Sequence, residues 1–543
     1  MKFIYKTSFA LIFNSSFLIL NCFSQQAPGI EWQNTIGGNN DDGALSIEQT
    51  TDGGYIIGSI SNSDISGDKT ENCRGEDDYW VIKLNSLGSI QWQKTIGGSD
   101  EDELMSIQQT FDGGYILGGS SYSDISGDKT QNSAGTVDFW IVKMDSIGNI
   151  QWQNSLGGNK EEYLYSVQQT IDGGYIVGGW SDSNISGDKT ENSMGWQDYW
   201  VVKLTATGAI QWQNTIGGNY NENLWEIRQT IEGGYILAGL SNSDSSGDKT
   251  ENTFGTQKEN DCWIIKLDSI GTVVWQKSIG GYSSDGATCI EITNDGGYII
   301  GAISHSDSSG NKTENSIGSN DYWVIKLDSL GNIQWQNTIG GNSTDNLFSI
   351  HQTPDGGYFL GGWSESDSSG DKSEDNMGNY DYWVIKLDSL GNVIWENSIG
   401  GNSLDALGSV GITGDGGYIL VGHSYTGISF DKTEASMGDG DIWIVKLGPD
   451  TITGIFNHRL AISNLQFFPN PFTTQSKLFF KNTNKERFLF TLYDNFGRVT
   501  ESVITTHNEV ILSKGSKQPG IYLFNLTNTT TMKRSSGKVI ITN

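Results

Sequence analysis

Residues 321–341 read DYWVIKLDSLGNIQWQNTIGG, two runs of strand length joined by an Asp-Ser-Leu-Gly-Asn turn. The tryptophan of the second run, Trp335, belongs to a series: Trp32, Trp92, Trp152, Trp212, Trp275, Trp335 and Trp395, spaced 60, 60, 60, 63, 60 and 60 residues apart. A period this long and regular marks one supersecondary unit stacked on copies of itself, each burying its apolar face against the next. Residues present in every copy are then expected to hold the units together. A binding or catalytic site has to be sought where the copies differ.

One copy, 106–158, shows the strands. SIQQT leads through the turn FDGG into YILGGSS, two antiparallel strands joined by a tight hairpin in which Asp112, Gly113 and Gly114 take left-handed conformations. A longer loop, YSDISGDKTQNSAGT, precedes DFWIVKM, where Trp140, Val142 and Met144 fall on one face and Ile141 and Lys143 on the other. The turn DSIGN reverses the chain into IQWQNSLGG. Each copy supplies four strands, and none of it has a helical period.

Four short antiparallel strands written seven times predict a seven-bladed β-propeller over 30–447. The repeat is also offset. The region opens on a fourth-type strand, Ile30–Ile36, while the seventh copy stops after its third strand, DIWIVKL, at Leu447. Pairing the spare strand with the incomplete copy predicts shared-strand closure of a ring. An open β-solenoid, the competing architecture, has no use for that offset and requires distinct caps. The DYWVIKLDSLGNIQWQNTIGG phrase resembles that of quinoprotein-like propellers, and the whole repeat is similar to the sixty-residue DGGYIIGG repeats of secreted bacterial proteins. The adjacent-cysteine disulfide and cofactor ligands of quinone-dependent dehydrogenases have no counterpart here, nor has the sialidase SxDxGxTW box. No cofactor is expected.

The net charge is −31 over 543 residues and is unevenly spread. Residues 458–543 carry 11 Lys or Arg against 4 Asp or Glu, whereas 26–457 carry a balance of −40. So acidic a surface repels nucleic acid and anionic lipid. Residues 1–24 read as a signal peptide, with Lys2 and Lys6 ahead of an apolar stretch from Phe9 to Leu20. No other stretch is long enough to span a membrane. Cys73, Cys262 and Cys289 occupy different repeat positions; they read as small-residue replacements, with a Cys262–Cys289 disulfide as the alternative in an oxidising compartment.

The loops between second and third strands, and those leading into each first strand, emerge on one face and carry the acidic, variable sequence. That face is the expected partner surface. Asp64, Ser66 and Asp68 place oxygens at positions 1, 3 and 5 of a calcium loop, but Lys69 stands where an EF-hand needs Gly and Gly75 where it needs an acid. A solvated turn is the better-fitting reading, with calcium as the minority alternative. Lys83, Lys143, Lys203, Lys266, Lys326, Lys386 and Lys446 recur in the third strand and read as ion-pair partners with buried stems. The asymmetric positions are more selective. The second strand ends in Ile60, Ser120, Trp180, Leu240, Ile303, Trp363 and His423, and the first begins with Leu45, Met105, Tyr165, Trp225, Thr288, Phe348 and Gly408. Trp180, Trp363, Trp225, Tyr165 and His423 are therefore the candidate ligand-binding residues, for a sugar or a peptide, against the reading that they only fill gaps between blades. No catalytic motif is present.

From about Phe456 the repeat stops and alternating strands with Pro and Gly turns predict a small immunoglobulin-like β-sandwich. Pro469, Asn470 and Pro471, then LYDNFGR with Gly497, then Gly520 and Tyr522 of PGIYLFNL, and finally Lys538 follow in order. This series resembles the type A C-terminal sorting domain of the Bacteroidetes type IX secretion system. The resemblance implies a cargo that crosses the inner membrane by its signal and the outer membrane through recognition of this domain by the secretion machinery. The expected organisation is a signal peptide at 1–24, the propeller at 30–447, a linker at 448–463 and the sorting domain at 464–543. The expected protein is secreted or held at the outer surface and binds a glycan or a protein. A polysaccharide-acting enzyme and a structural adhesion repeat without a discrete ligand are the alternatives.

Overall fold

The computed structural model describes residues 26–255, 259–450, 466–482, 485–493, 499–528 and 534–542. The signal-peptide reading, most of the linker and Gly497 lie outside them. The described chain is all-β, with no helix among the described residues, and divides into two compact units, Met1–Thr451 and Ile452–Asn543.

The first unit is built of seven four-stranded antiparallel sheets, a propeller-like arrangement. In the first sheet the strands Asp42–Gln49, Tyr55–Ser61, Asp78–Leu84 and Ile90–Ile96 pair in that order, and the next five sheets repeat it. The seventh takes Asp405–Ile412, Tyr418–Ser424 and Asp441–Leu447 from its own repeat and Ile30–Ile36 as its fourth strand. Trp32 faces Lys446 there, as Trp92 faces Lys83 in the first sheet. The first hairpin needs its glycines: Gly53 has φ 81°, and a Cβ on Gly54 would sit 2.2 Å from the Leu84 carbonyl.

The third strands are buried throughout, so alternation in them does not separate core from solvent. It separates two cores. Trp140, Val142 and Met144 join a cluster with Tyr79 and Val81 of the sheet before, while Phe139 and Ile141 join Trp200 and Val202 of the sheet after. A sheet covered on both faces has no solvent side for a polar stripe. The cluster holding Trp80 and Ile82 also contains Ile419, Val421, Ile442 and Ile444, so the seventh sheet packs on the first as the others pack on their neighbours. A recurrent backbone bond follows the same circuit. Asp102 N donates to Asp77 O at 2.7 Å, and Asp42 N to Gly440 O at 2.8 Å.

Two polar devices repeat with the sheets. At one end, the third-strand lysines clamp the hairpin turns: Lys83 and Lys143 lie 3.0 Å from Asp52 and Asp112. Burial works against the Asp52 charge, yet bonds from Thr50, Gly54 and Lys83 hold its carboxyl down to about 2. At the other end, each sheet buries two carboxyls and the lysine of its GDK loop, as in Asp42, Lys69 and Asp78, all at most 1% exposed. In the fourth sheet Lys249 donates to Ser241 at 3.0 Å and Ser241 to Glu222 at 2.8 Å, a relay through a hydroxyl. The carboxyls of neighbouring sheets face each other across every junction, Asp78 with Asp102 and Asp441 with Asp42 among them.

The second unit has a three-stranded sheet of Gln466–Phe468, Gln475–Phe479 and Glu509–Ser513, and a four-stranded sheet of Phe488–Tyr493, Val499–Thr505, Gly520–Asn528 and Arg534–Ile541. Leu478, Val510 and Leu512 of the first share one core with Phe490, Phe524, Leu526 and Val539 of the second. The residues 469–471 reach the last strand. Ile540 N donates to Asn470 Oδ1 at 2.8 Å, and Ser476 Oγ donates to the Pro469 carbonyl at 2.6 Å. Tyr522 pairs with Val539 and Gly520 with Ile541, Tyr522 donates its hydroxyl to the Gln518 carbonyl at 2.9 Å, and Lys538 is exposed. Asn470, Gly520, Tyr522 and Lys538 thus gather around the last strand, while Pro469 is bonded to Gln475–Phe479.

Candidate functional site

The contacts of the turns and loops define two ends of the first unit. The hairpin turns and the turns after the third strand meet through the lysine clamps. The two kinds of longer loop meet at the opposite end, where Asn40 N donates to Ser63 Oγ at 3.0 Å and Ser66 Oγ to Asn39 Oδ1 at 2.8 Å. A cavity of about 340 Å³ is lined by the first strand of every sheet. Seven equivalent positions face it as Leu45, Met105, Tyr165, Trp225, Thr288, Phe348 and Gly408. The same backbone therefore presents seven different side chains.

The structure divides the candidate residues between two places. Tyr165 and Trp225 face the cavity, their rings 4.5 Å apart. Trp180, Trp363 and His423 stand at the loop end. Trp180 is buried, at 7% exposed, and lies flat against Tyr163 at 4.7 Å, so it packs and offers no face to a ligand. Trp363 is half-buried, stacked on Tyr380 at 4.5 Å with an interplanar angle of 23°. His423 sits 4.5 Å from the Tyr425 ring and 3.9 Å from Asp41; burial lowers its pKa while Asp41 opposes that.

Sequence reading passed over Trp196, which is 68% exposed at the loop end and meets Tyr220 edge-on at 6.3 Å. Its signal was available: Glu76, Thr136, Ser319, Asn379 and Asp439 hold the equivalent position in other repeats. Arg228 was passed over as well. It lines the cavity and pairs with Glu226; burial pulls its pKa down, but Glu226, Glu291 and Glu48 more than restore it.

In the first GDK loop Ser66 also donates to the Asp64 carbonyl at 2.8 Å, and the Asp68 backbone N–H donates to the Gly37 carbonyl at 2.8 Å. Asp64, Ser66 and Asp68 are thus engaged in turn geometry. Among the described residues no group of three or more His, Cys, Asp or Glu is placed to hold a metal ion. Cys262 and Cys289 are buried free thiols. At the loop end burial and the neighbouring Glu101 push Glu103 up to about 7.

No known protein-family profile matches the chain. Regulatory protein FlaEY of Caulobacter vibrioides is similar at 26% identity over 156 residues, which are 27% of this chain and only 16% of that protein. PorZ, a surface component of the type IX secretion system of Porphyromonas gingivalis, superposes with a TM-score of 0.24 at 9% identity, over 97% of this chain and 88% of PorZ. A puromycin hydrolase superposes with a TM-score of 0.41 at 9% identity, over 84% of this chain and 62% of the hydrolase. At those scores the architecture rests on the sheet pairings themselves. Among the described residues no helix is long and apolar enough to cross a membrane.

Proposed function

We propose that residues 30–447 form a seven-bladed propeller closed by Ile30–Ile36, that this ring binds a glycan at its loop-bearing end, and that the immunoglobulin-like C-terminal unit sends it to the cell surface through the type IX secretion machinery. The observation that carries the binding reading is asymmetry on a symmetric frame. The clamps and buried carboxyls repeat in every sheet, yet only one carries Trp196 at its loop tip, 68% exposed. Trp363 backed flat by Tyr380 adds a second aromatic surface at the same end. Aromatic rings on a rigid scaffold can stack on the apolar faces of sugars.

A glycan array and polysaccharide retention assay on the full chain tests this. Retention of a defined glycan that falls at least tenfold in a Trp196→Ala, Trp363→Ala double variant with an unchanged melting temperature is the expected result. No retained glycan, or equal retention by the double variant, overturns it.

A further inference from the structure

We infer that the cavity is a separate site for a small organic cation, an ammonium group carried on an apolar or aromatic body. The proposal needs the ring but not the glycan at its loop-bearing end. It starts from a bond that links four of the first strands to the next. Gln108 Oε1 accepts from Gln169 N at 2.7 Å, and Gln168 Oε1 from Gln229 N at 2.6 Å. Glu48 and Glu291 make the same bond, with Gln109 N at 2.6 Å and Gln352 N at 2.5 Å. A neutral amide performs this architectural task twice. The charge that Glu48 and Glu291 bring is therefore surplus to the architecture.

That surplus is concentrated around the cavity. Glu48 and Glu226 line it with Arg228 and His351, and Glu291 lies 3.7 Å from His351. Three carboxylates thus surround one guanidinium, and Arg228 is already paired with Glu226. A carboxylate ligand would meet this excess of like charge, whereas an ammonium relieves it. Above the charged tier stand Leu45, Met105, Trp225 and Phe348, with Tyr165 against Trp225. Aromatic faces and aliphatic side chains take the body of such a ligand, and indole adds attraction for the cation itself. A cavity of about 340 Å³ suits a small molecule and excludes a folded partner.

Isothermal titration of the full chain with 2-phenylethylammonium, 2-phenylethanol and 3-phenylpropanoate tests the charge requirement without any substitution. Saturable binding of the ammonium, at least tenfold tighter than that of the alcohol or the acid, is expected. Glu48→Gln with Glu291→Gln keeps the bond that Gln108 and Gln168 make and should weaken the ammonium tenfold or more. Trp225→Leu, which copies Leu45, should weaken it independently should the double variant fold poorly. Equal binding of ammonium and alcohol, no binding of the ammonium, or native affinity in well-folded variants overturns the inference. The single Trp196→Ala variant, at a residue outside the cavity lining, should bind the ammonium normally, so failure here is distinguishable from failure of the glycan reading.

Discussion

At the scale of single residues, the buried carboxyls at the sheet junctions decide how the repeat unit responds to acid. Burial, opposed by the Arg74 amide, pushes Asp78 up to about 6; burial against the Met194 amide, with Glu222 adding to it, pushes Asp198 up to about 7. Such a group holds its proton in the folded unit at a pH where the unfolded chain has released it. Its stabilisation is complete below the unfolded value near 4 and is lost as pH rises through about 6 to 7. The clamp carboxyls run the other way: Asp52, held to about 2, adds stability above its unfolded value that disappears as pH falls toward 2. The melting temperature should therefore rise when pH is lowered from about 7.5 to about 5, and fall again below about 3. High salt screens general repulsion of the acidic surface but not these buried groups, so the rise should persist there, and Asp198→Asn should reduce it. A melting temperature that is flat or climbs from about pH 5 to 7.5 contradicts the assignment. None of this was legible in sequence, because Asp78 and Asp102 are neighbours only across a junction. The same limit explains the candidate aromatics. Trp180 and Trp363 share a repeat position, yet the Tyr163 and Tyr380 that flank them come from different strands and loops, and only coordinates show which ring is covered.

At the scale of strands, most of the architecture was readable, because period, turn residues and offset each constrain it locally. The Asp-Gly-Gly hairpins take a positive φ only at Gly53, Gly113 and their equivalents, not at Asp112 or Gly114 as the sequence suggests, and Ile30–Ile36 pairs with Asp441–Leu447 as the spare strand predicts. The face assignment was harder. Period-2 alternation in DFWIVKM is real, but it sorts residues between two cores, which sequence cannot tell from core against solvent. The closing strand carries an energetic consequence. Gln33 Oε1 accepts from Trp443 Nε1 at 3.1 Å, and Glu31 lies 3.2 Å from Lys446. Deleting residues 27–38 removes these partners and leaves the Asp441–Leu447 edge unpaired. The truncated ring should melt well below the intact one and expose the seventh sheet to fast amide exchange. An unchanged melting temperature means that the pairing of the two ends is not what holds the ring.

At the scale of the whole molecule, the chain joins an acidic repeat unit to a basic unit of different construction, with charge changing sign between them. Shared function between the units is not required by this; a separate task for each explains it more simply. In the second unit Phe488, Phe490 and Phe524 are spent on its own core, while Phe468 and Phe479 are exposed. What it does present is a motif set gathered on the last strand: Asn470 capping Ile540, Tyr522 paired with Val539, and an exposed Lys538. A receptor reading that one edge would meet most of the motif at once, which is what an address label requires and a structural domain does not. Removing residues 458–543 leaves the seven sheets and their junctions intact, so the truncated chain should fold. With the N-terminal residues unaltered it should still leave the cytoplasm and then accumulate in the periplasm of a host possessing the type IX machinery. Fractionation with surface protease accessibility reads the outcome, and Asn470→Ala in the full chain gives a milder version by loosening the last strand. Full surface exposure of the truncated chain removes the sorting role from this unit and leaves it as a second folded module whose task lies elsewhere.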